Sequence, residues 1–256
     1  MSLANDSVKD RYGDLLTVGT SNGGITTTKQ DLKDGTGTSS VISLSDDQIE
    51  IKPKNDNTTT TLDVKNTSGT SLLSVDTTNS EVVLNGNKAN TGCFMFSCFN
   101  QSLDTNTWTS MMFGTTSSVG TVLNTFGTGS TPSTTLDASA ESEDYAVMNM
   151  LHLPYDITIE SVYIWYCGDN SSSDNIQFSL NAFSVATSGA GSGDLSSGAV
   201  LYSTTASAYD NTKCYYETLS ATTNNVDAGK VLLFLSRSAS TNNDLYARAY
   251  IKYHIK

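Results

Sequence analysis

The sequence predicts an all-β protein: a repetitive stem of short strands, followed by a C-terminal antiparallel β-sandwich head of the jelly-roll type. Three observations carry this. Ser and Thr together number 72 of the 256 residues, far above ordinary usage, and Thr favours extended backbone while Ser, Asn, Asp and Gly favour the turns between strands. Charged residues make up only 16%, so the polarity lies in hydroxyls and amides, unlike a charge-rich disordered chain. Aromatic residues are almost confined to the part beyond Asn90, where both tryptophans, all the phenylalanines and every tyrosine but Tyr12 occur. Those are the bulky side chains from which a core is built.

Residues 1–35 are polar and weakly patterned, a segment expected to become ordered against a partner. Asp6-Ser7-Val8-Lys9-Asp10-Arg11-Tyr12 could hold a helical turn and Asp14–Val18 a short strand, with turns at Asn22-Gly23-Gly24 and Asp34-Gly35-Thr36-Gly37. The apparent absence of an apolar leader after Met1 predicts synthesis in the cytoplasm. No apolar run approaches the length of a membrane span.

Residues 36–90 form the stem. Apolar pairs spaced by two recur at Ile42 and Leu44, Ile49 and Ile51, Leu62 and Val64, Leu73 and Val75, and Val82 and Leu84. That spacing places both members of a pair on one face of a strand. Turn-forming groups separate the pairs, among them Asn55-Asp56-Asn57, Asn66-Thr67-Ser68-Gly69 and Asn85-Gly86. The steps are uneven, which predicts a loose repeat rather than a solenoid of fixed period. Burying a Leu or Val stabilises by about 1.5–3 kcal/mol, while ordering each residue's backbone costs about 1–2 kcal/mol. Two apolar residues in every ten or so cannot close that gap within one chain. The stem is therefore expected to be completed by other copies, three being the number favoured; a flexible Ser/Thr linker is the alternative.

Residues 91–256 form the head, for which about ten strands are expected: Cys93–Gln101, Trp108–Phe113, Gly120–Phe126, Tyr145–Leu153, Ile157–Cys167, Asn175–Val185, Ala199–Thr205, Lys213–Ser220, Lys230–Arg237 and Asp244–Ile255. Ile176, Phe178 and Leu180 share one parity while Phe183 and Val185 take the other, which suggests a β-bulge. In the last strand Leu245, Ala247, Ala249, Ile251, Tyr253 and Ile255 face one way, and Tyr246, Arg248, Tyr250, Lys252, His254 and Lys256 the other.

The formal net charge is −12, with no Lys or Arg between Lys88 and Lys213. Nucleic-acid affinity comes largely from basic side chains neutralising phosphates, so that span is not expected to bind nucleic acid, nor anionic membranes. No catalytic, cofactor-binding or metal site is expected, and no cofactor. Cys93 and Cys98 are five apart on a predicted strand and point to opposite faces, and with Cys167 and Cys214 they read as buried free thiols. His152 and His254 alone do not make a zinc site, His254 being either exposed or interfacial. Asp137, Glu141, Glu143 and Asp144 lie in a small-residue loop, read as solvated in preference to a calcium site or a glycosidase pair. No Gly-x-Ser-x-Gly elbow occurs. Neither Asp169–Asp174 nor Ser188–Asp194 opens a helix, so both are read as loops at the ends of the sandwich rather than as phosphate loops. Trp108 and Trp165 are candidates for sugar contact, with a core position favoured for Trp165.

Two segments carry a resemblance. Leu32-Lys33-Asp34-Gly35-Thr36-Gly37-Thr38-Ser39-Ser40-Val41-Ile42-Ser43-Leu44-Ser45 and Leu62-Asp63-Val64-Lys65-Asn66-Thr67-Ser68-Gly69-Thr70-Ser71-Leu72-Leu73-Ser74-Val75-Asp76 resemble stem units of the fibre and spike proteins of tailed bacteriophages, marine ones above all. The resemblance covers about residues 30–88, is one of style, and is shared in part by bacterial adhesins. It implies an N-terminal virion anchor over residues 1–35 that contacts capsid or tail proteins, an intertwined homotrimeric stem, and an exposed head on the virion surface. The function it implies is host attachment, with surface polysaccharide as a possible partner. A capsid decoration protein and a lectin-like carbohydrate-binding module are the alternatives.

Overall fold

A computed structural model describes residues 16–18, 25–103, 105–113, 125–136, 149–168, 174–187, 194–204, 207–209, 212–238 and 243–256. The elements formed by these residues are β-strands, and the fold is all-β. The chain divides into two units, residues 1–89 and 90–256.

The first unit contains β1 (Thr17–Val18), β2 (Gln30–Lys33), β3 (Ser39–Leu44), β4 (Ile49–Ile51), β5 (Leu62–Lys65), β6 (Ser71–Asp76), β7 (Glu81–Leu84) and β8 (Asn87–Lys88). They make two antiparallel four-stranded sheets, each in chain order, β1-β2-β3-β4 and β5-β6-β7-β8. The boundary expected at residue 35 falls in the turn joining β2 to β3, so β2 belongs with the strands that follow it. The helical turn expected at 6–12 and the turn at 22–24 lie outside the described residues.

The two sheets repeat one another in detail. In the β2–β3 turn the Asp34 carboxylate accepts from the Thr36 and Thr38 amides, at 2.9 Å each, and from the Thr36 hydroxyl at 2.7 Å. In the β5–β6 turn Asn66 Oδ1 accepts from the Ser68 and Thr70 amides at 3.1 and 2.9 Å and from the Ser68 hydroxyl at 2.7 Å. Gly37 and Gly69 take matching positive φ values of 91° and 85°, a conformation that glycine adopts without a Cβ penalty. Beyond each turn a serine, Ser39 or Ser71, donates back to Asp31 or Asp63 at 2.8 or 2.7 Å. The repeat is thus a three-stranded meander recurring about every 32 residues. The unevenness of the apolar steps arises because each meander holds turns of different length.

The second unit contains β9 (Thr91–Leu103), β10 (Thr107–Ser110), β11 (Met112–Phe113), β12 (Thr125–Thr128), β13 (Leu151–His152), β14 (Ile157–Gly168), β15 (Asp174–Val185), β16 (Leu195–Ser203), β17 (Ser207–Tyr209), β18 (Tyr215–Thr218), β19 (Ser220–Ala221), β20 (Asn225–Val226), β21 (Lys230–Ser238) and β22 (Asn243–Ile255). One sheet runs β12-β10-β21-β15-β16-β19 and the other β11-β9-β22-β14-β18, with β13, β17 and β20 added at the margins. Eight principal strands, taken in chain order as β9, β10, β14, β15, β16, β18, β21 and β22, are shared equally between the sheets. The first, eighth, third and sixth form one sheet, and the second, seventh, fourth and fifth the other. That is the jelly-roll order. The predicted strand Trp108–Phe113 changes sheets midway: β10 pairs with β21 and β11 with β9, and Met111 between them is fully buried. Of the strands expected at 120–126 and 145–153, only the ends, β12 and β13, fall among the described residues.

The main core lies between the sheets, where Phe96, Tyr166, Phe178, Phe234 and Ile251 meet. A second core covers the opposite face of the β21 sheet and holds Trp108, Phe126, Leu136, Phe183, Leu195, Val231, Leu233 and Leu235. This explains the continuous apolar run Val231–Leu235. Leu232 and Phe234 enter the first core and the odd-numbered residues the second, so β21 is buried on both faces. It also corrects the bulge expected at Phe183. The register of β15 against β21 runs without a shift from Ile176 to Ser184, and Phe183 simply occupies the other face. The register does shift on the β16 side, where Gly198 makes room for Phe183. A Cβ on Gly198 would stand 2.4 Å from the Phe183 ring and 2.9 Å from the Thr134 backbone. Gly198→Ala should therefore lower the unfolding free energy by about 1–3 kcal/mol; a urea midpoint equal to that of the parent chain would contradict the tight fit.

Candidate functional site

In the first unit the apolar residues form rows across the sheets. Leu62 pairs with Val75 and Val75 with Val82; Val64 pairs with Leu73 and Leu73 with Leu84. In the preceding sheet Ile42 pairs with Ile51 and Leu44 with Ile49. The predicted pairs thus stand side by side on one face of each meander, as period-two spacing requires. No apolar side chain among the described residues of this unit is buried, and Ile49 is 73% exposed. In an ordinary domain such a face would be covered.

The opposite face is held by hydroxyls and charge. Asp31 accepts from Ser39 and Ser43 and pairs with Lys54 at 2.9 Å; Asp63 accepts from Ser71 and pairs with Lys65 at 3.0 Å. The Lys54 ammonium and the two serines hold the Asp31 carboxyl far below its ordinary value of 3.8. Ser71 and Lys65 do the same, more weakly, for Asp63, as Lys29 does for Glu50. Each of these groups binds its proton less tightly folded than unfolded. Their contribution to stability is therefore complete above the ordinary values of 3.8 and 4.5 and is lost as pH falls below them through the folded values. Thermal melts of the full chain should show the first unit weakening between about pH 4 and pH 2, and a transition unmoved by acid would contradict these contacts.

In the head, the outward face of the β9-β22-β14-β18 sheet is aromatic. Pairing sets Tyr216, Trp165, Arg248 and Ser97 in one row and Thr218, Tyr163, Tyr250 and Met95 in the next. Tyr163 stacks on Tyr250, with ring centres 5.3 Å apart and planes 16° apart, and Trp165 meets Tyr216 at 4.9 Å. Phe99 packs edge-on against Tyr246 at 5.1 Å. Trp165 is 52% exposed, Tyr216 51% and Phe99 56%. These side chains are outward because the alternate positions Val162, Ile164, Tyr166, Ala247, Ala249 and Ile251 fill the main core.

The tryptophans are thus reversed from expectation. Trp108 is buried in the second core, donating to Gly129 O at 3.1 Å beneath the Arg237 guanidinium, and Trp165 is the exposed one. The signal was present in the parity of β14, where Trp165 stands opposite Ile164 and Tyr166. Arg237 is itself buried, held by the neutral acceptors Asn106 at 3.2 Å and Gln177 at 2.7 Å. The thiols also depart from a uniform reading. Cys98 is buried and its pKa is pushed far up by desolvation, while Cys93 and Cys214 are exposed. Cys93 and Cys98 point to opposite faces, as their spacing requires. Burial and the neighbouring Cys214 raise the Cys167 pKa.

His254 is mostly buried, with Nδ1 3.2 Å from a Glu160 oxygen whose partner oxygen pairs with Lys252 at 2.8 Å. His152 pairs through its backbone with Val231. Asp137, Glu141, Glu143 and Asp144 lie outside the described residues, as do residues 169–173 and 188–193. Among the described residues no group of three or more His, Cys, Asp or Glu is placed to hold a metal. No helix of the described residues is long and apolar enough to cross a membrane.

No protein-family model matches the chain, and no curated protein matches its sequence.

Proposed function

We propose that the chain is a non-enzymatic structural protein of a phage virion surface. It is a short homotrimeric fibre or spike, held to the particle through its N-terminal segment and displaying residues 91–256 for attachment to a host surface. The observation that carries the assembly is that no apolar side chain described in the first unit is buried, although its meanders align apolar rows on one face. Sheets that expose such a face, and carry open strand edges besides, gain most by closing on copies of themselves. The number three, and the virion setting, come from the likeness of the two stem segments to phage fibre units.

The native mass of the full chain tests the assembly. A trimer is expected, and a folded monomer would overturn it. Antibody labelling of particles tests the setting, with label expected at the surface of intact virions and its absence refuting the virion role.

A further inference from the structure

The aromatic face of the head belongs to neither core: Trp165, Tyr216 and Phe99 are more than half exposed on the outside of a sheet whose other side fills the main core. We propose that this face, centred on Trp165, Tyr216 and Arg248, binds an acidic polysaccharide, one whose sugars carry carboxylate or sulfate groups. The proposal deepens the attachment reading above by naming the chemistry that the head would recognise.

Three features point to that ligand. The rings are carried on paired strands and braced against one another, Tyr163 on Tyr250 and Trp165 on Tyr216. They offer flat apolar area at little entropic cost, with phenolic oxygens at the rim. Sugar rings present C–H faces that stack on such surfaces and hydroxyls that bond to the rim. Second, the face is an open sheet surface, suited to an extended chain with several sugars in contact at once. Third, Arg248 stands in the row with Trp165. Among the described residues its guanidinium makes no ion pair and lies over no ring. Lys252, four residues along the same strand, shares its charge with Glu160. An uncompensated cation on a chain of net charge −12 favours an anionic partner locally. A two-fold contact between copies fits less well, because stacking two such faces would bring Arg248 toward its own counterpart.

The test uses the full chain, with alginate oligosaccharides as the carboxylated probe, dextran sulfate as the sulfated one and cello-oligosaccharides as the neutral control. Binding is followed by calorimetry and tryptophan fluorescence, and the native mass of every sample is recorded. One or both anionic probes should bind and perturb the emission of Trp165. Trp165→Ala and Tyr216→Ala should each weaken binding at least about tenfold. Arg248→Gln should remove the preference over the neutral control. The proposal is overturned if no probe binds, if Trp165→Ala binds as the parent does, or if Trp165→Ala lowers the native mass, which would make the face a contact between copies. A trimer that binds nothing refutes the platform and leaves the assembly standing; a monomer that binds refutes the assembly alone.

Discussion

Leu73→Asp combined with Val75→Asp should convert the protein from the proposed trimer to a monomer while leaving the head folded. Both residues lie on β6, the strand flanked on each side by a partner, and each is the centre of an apolar row, Val64-Leu73-Leu84 and Leu62-Val75-Val82. Burying each side chain between copies is worth about 1.5–3 kcal/mol, and a closed trimer repeats that gain three times. A carboxylate in place of each both removes the gain and sets like charges against one another across the axis. Native mass spectrometry should report the loss of trimer. Hydrogen exchange should become fast throughout residues 30–88 and stay slow in β14, β21 and β22. A trimer that survives the double substitution would mean that copies meet elsewhere. Leu73→Ile with Val75→Ile, which keeps the face apolar, should preserve the assembly.

Phe234→Ala should lower the stability of the head by about 3–5 kcal/mol, the largest single-residue loss expected there. The ring is wholly shielded from solvent and lies 6.1 Å from Phe96 and 6.2 Å from Phe178, centre to centre, so it joins residues of both sheets. It also sits on β21, whose other face is covered by the second core, leaving the strand little freedom to move inward and fill the cavity. Urea unfolding followed by the fluorescence of buried Trp108 measures the effect. A loss below about 1 kcal/mol would show that the site collapses around the smaller side chain. The native mass should not change, since this core lies within one chain.

The strands were legible wherever alternation was strong. Residues 245–255 divide by parity into buried Leu245, Ala247, Ala249 and Ile251 and the outward Tyr246, Arg248 and Tyr250, as their spacing requires. The apolar pairs of the first unit likewise align on one face. Legibility failed where a strand has two buried faces, because period two then carries no information about direction. Phe183 was misread for that reason: a second core behind the β21 sheet demands an apolar residue on each side, and nothing local in the sequence announces that layer. Trp165 was misread because bulk suggests burial, whereas its parity in β14 places it outside.

The sequence by itself determined that this protein is all-β, that its bulky side chains lie beyond residue 90, and that the strands before that point have one apolar face each. These properties follow from composition and short-range spacing, which the backbone geometry of a strand converts directly into faces. Only the tertiary structure decided which strands pair. It therefore decided that the uneven apolar steps are a repeated meander, that Trp108 is covered by a second core, and that Arg248 stands in a row of aromatic rings. Those outcomes depend on register between strands up to about 160 residues apart, such as β9 and β22. Long-range register is set by the packing of the whole core, and no local pattern records it.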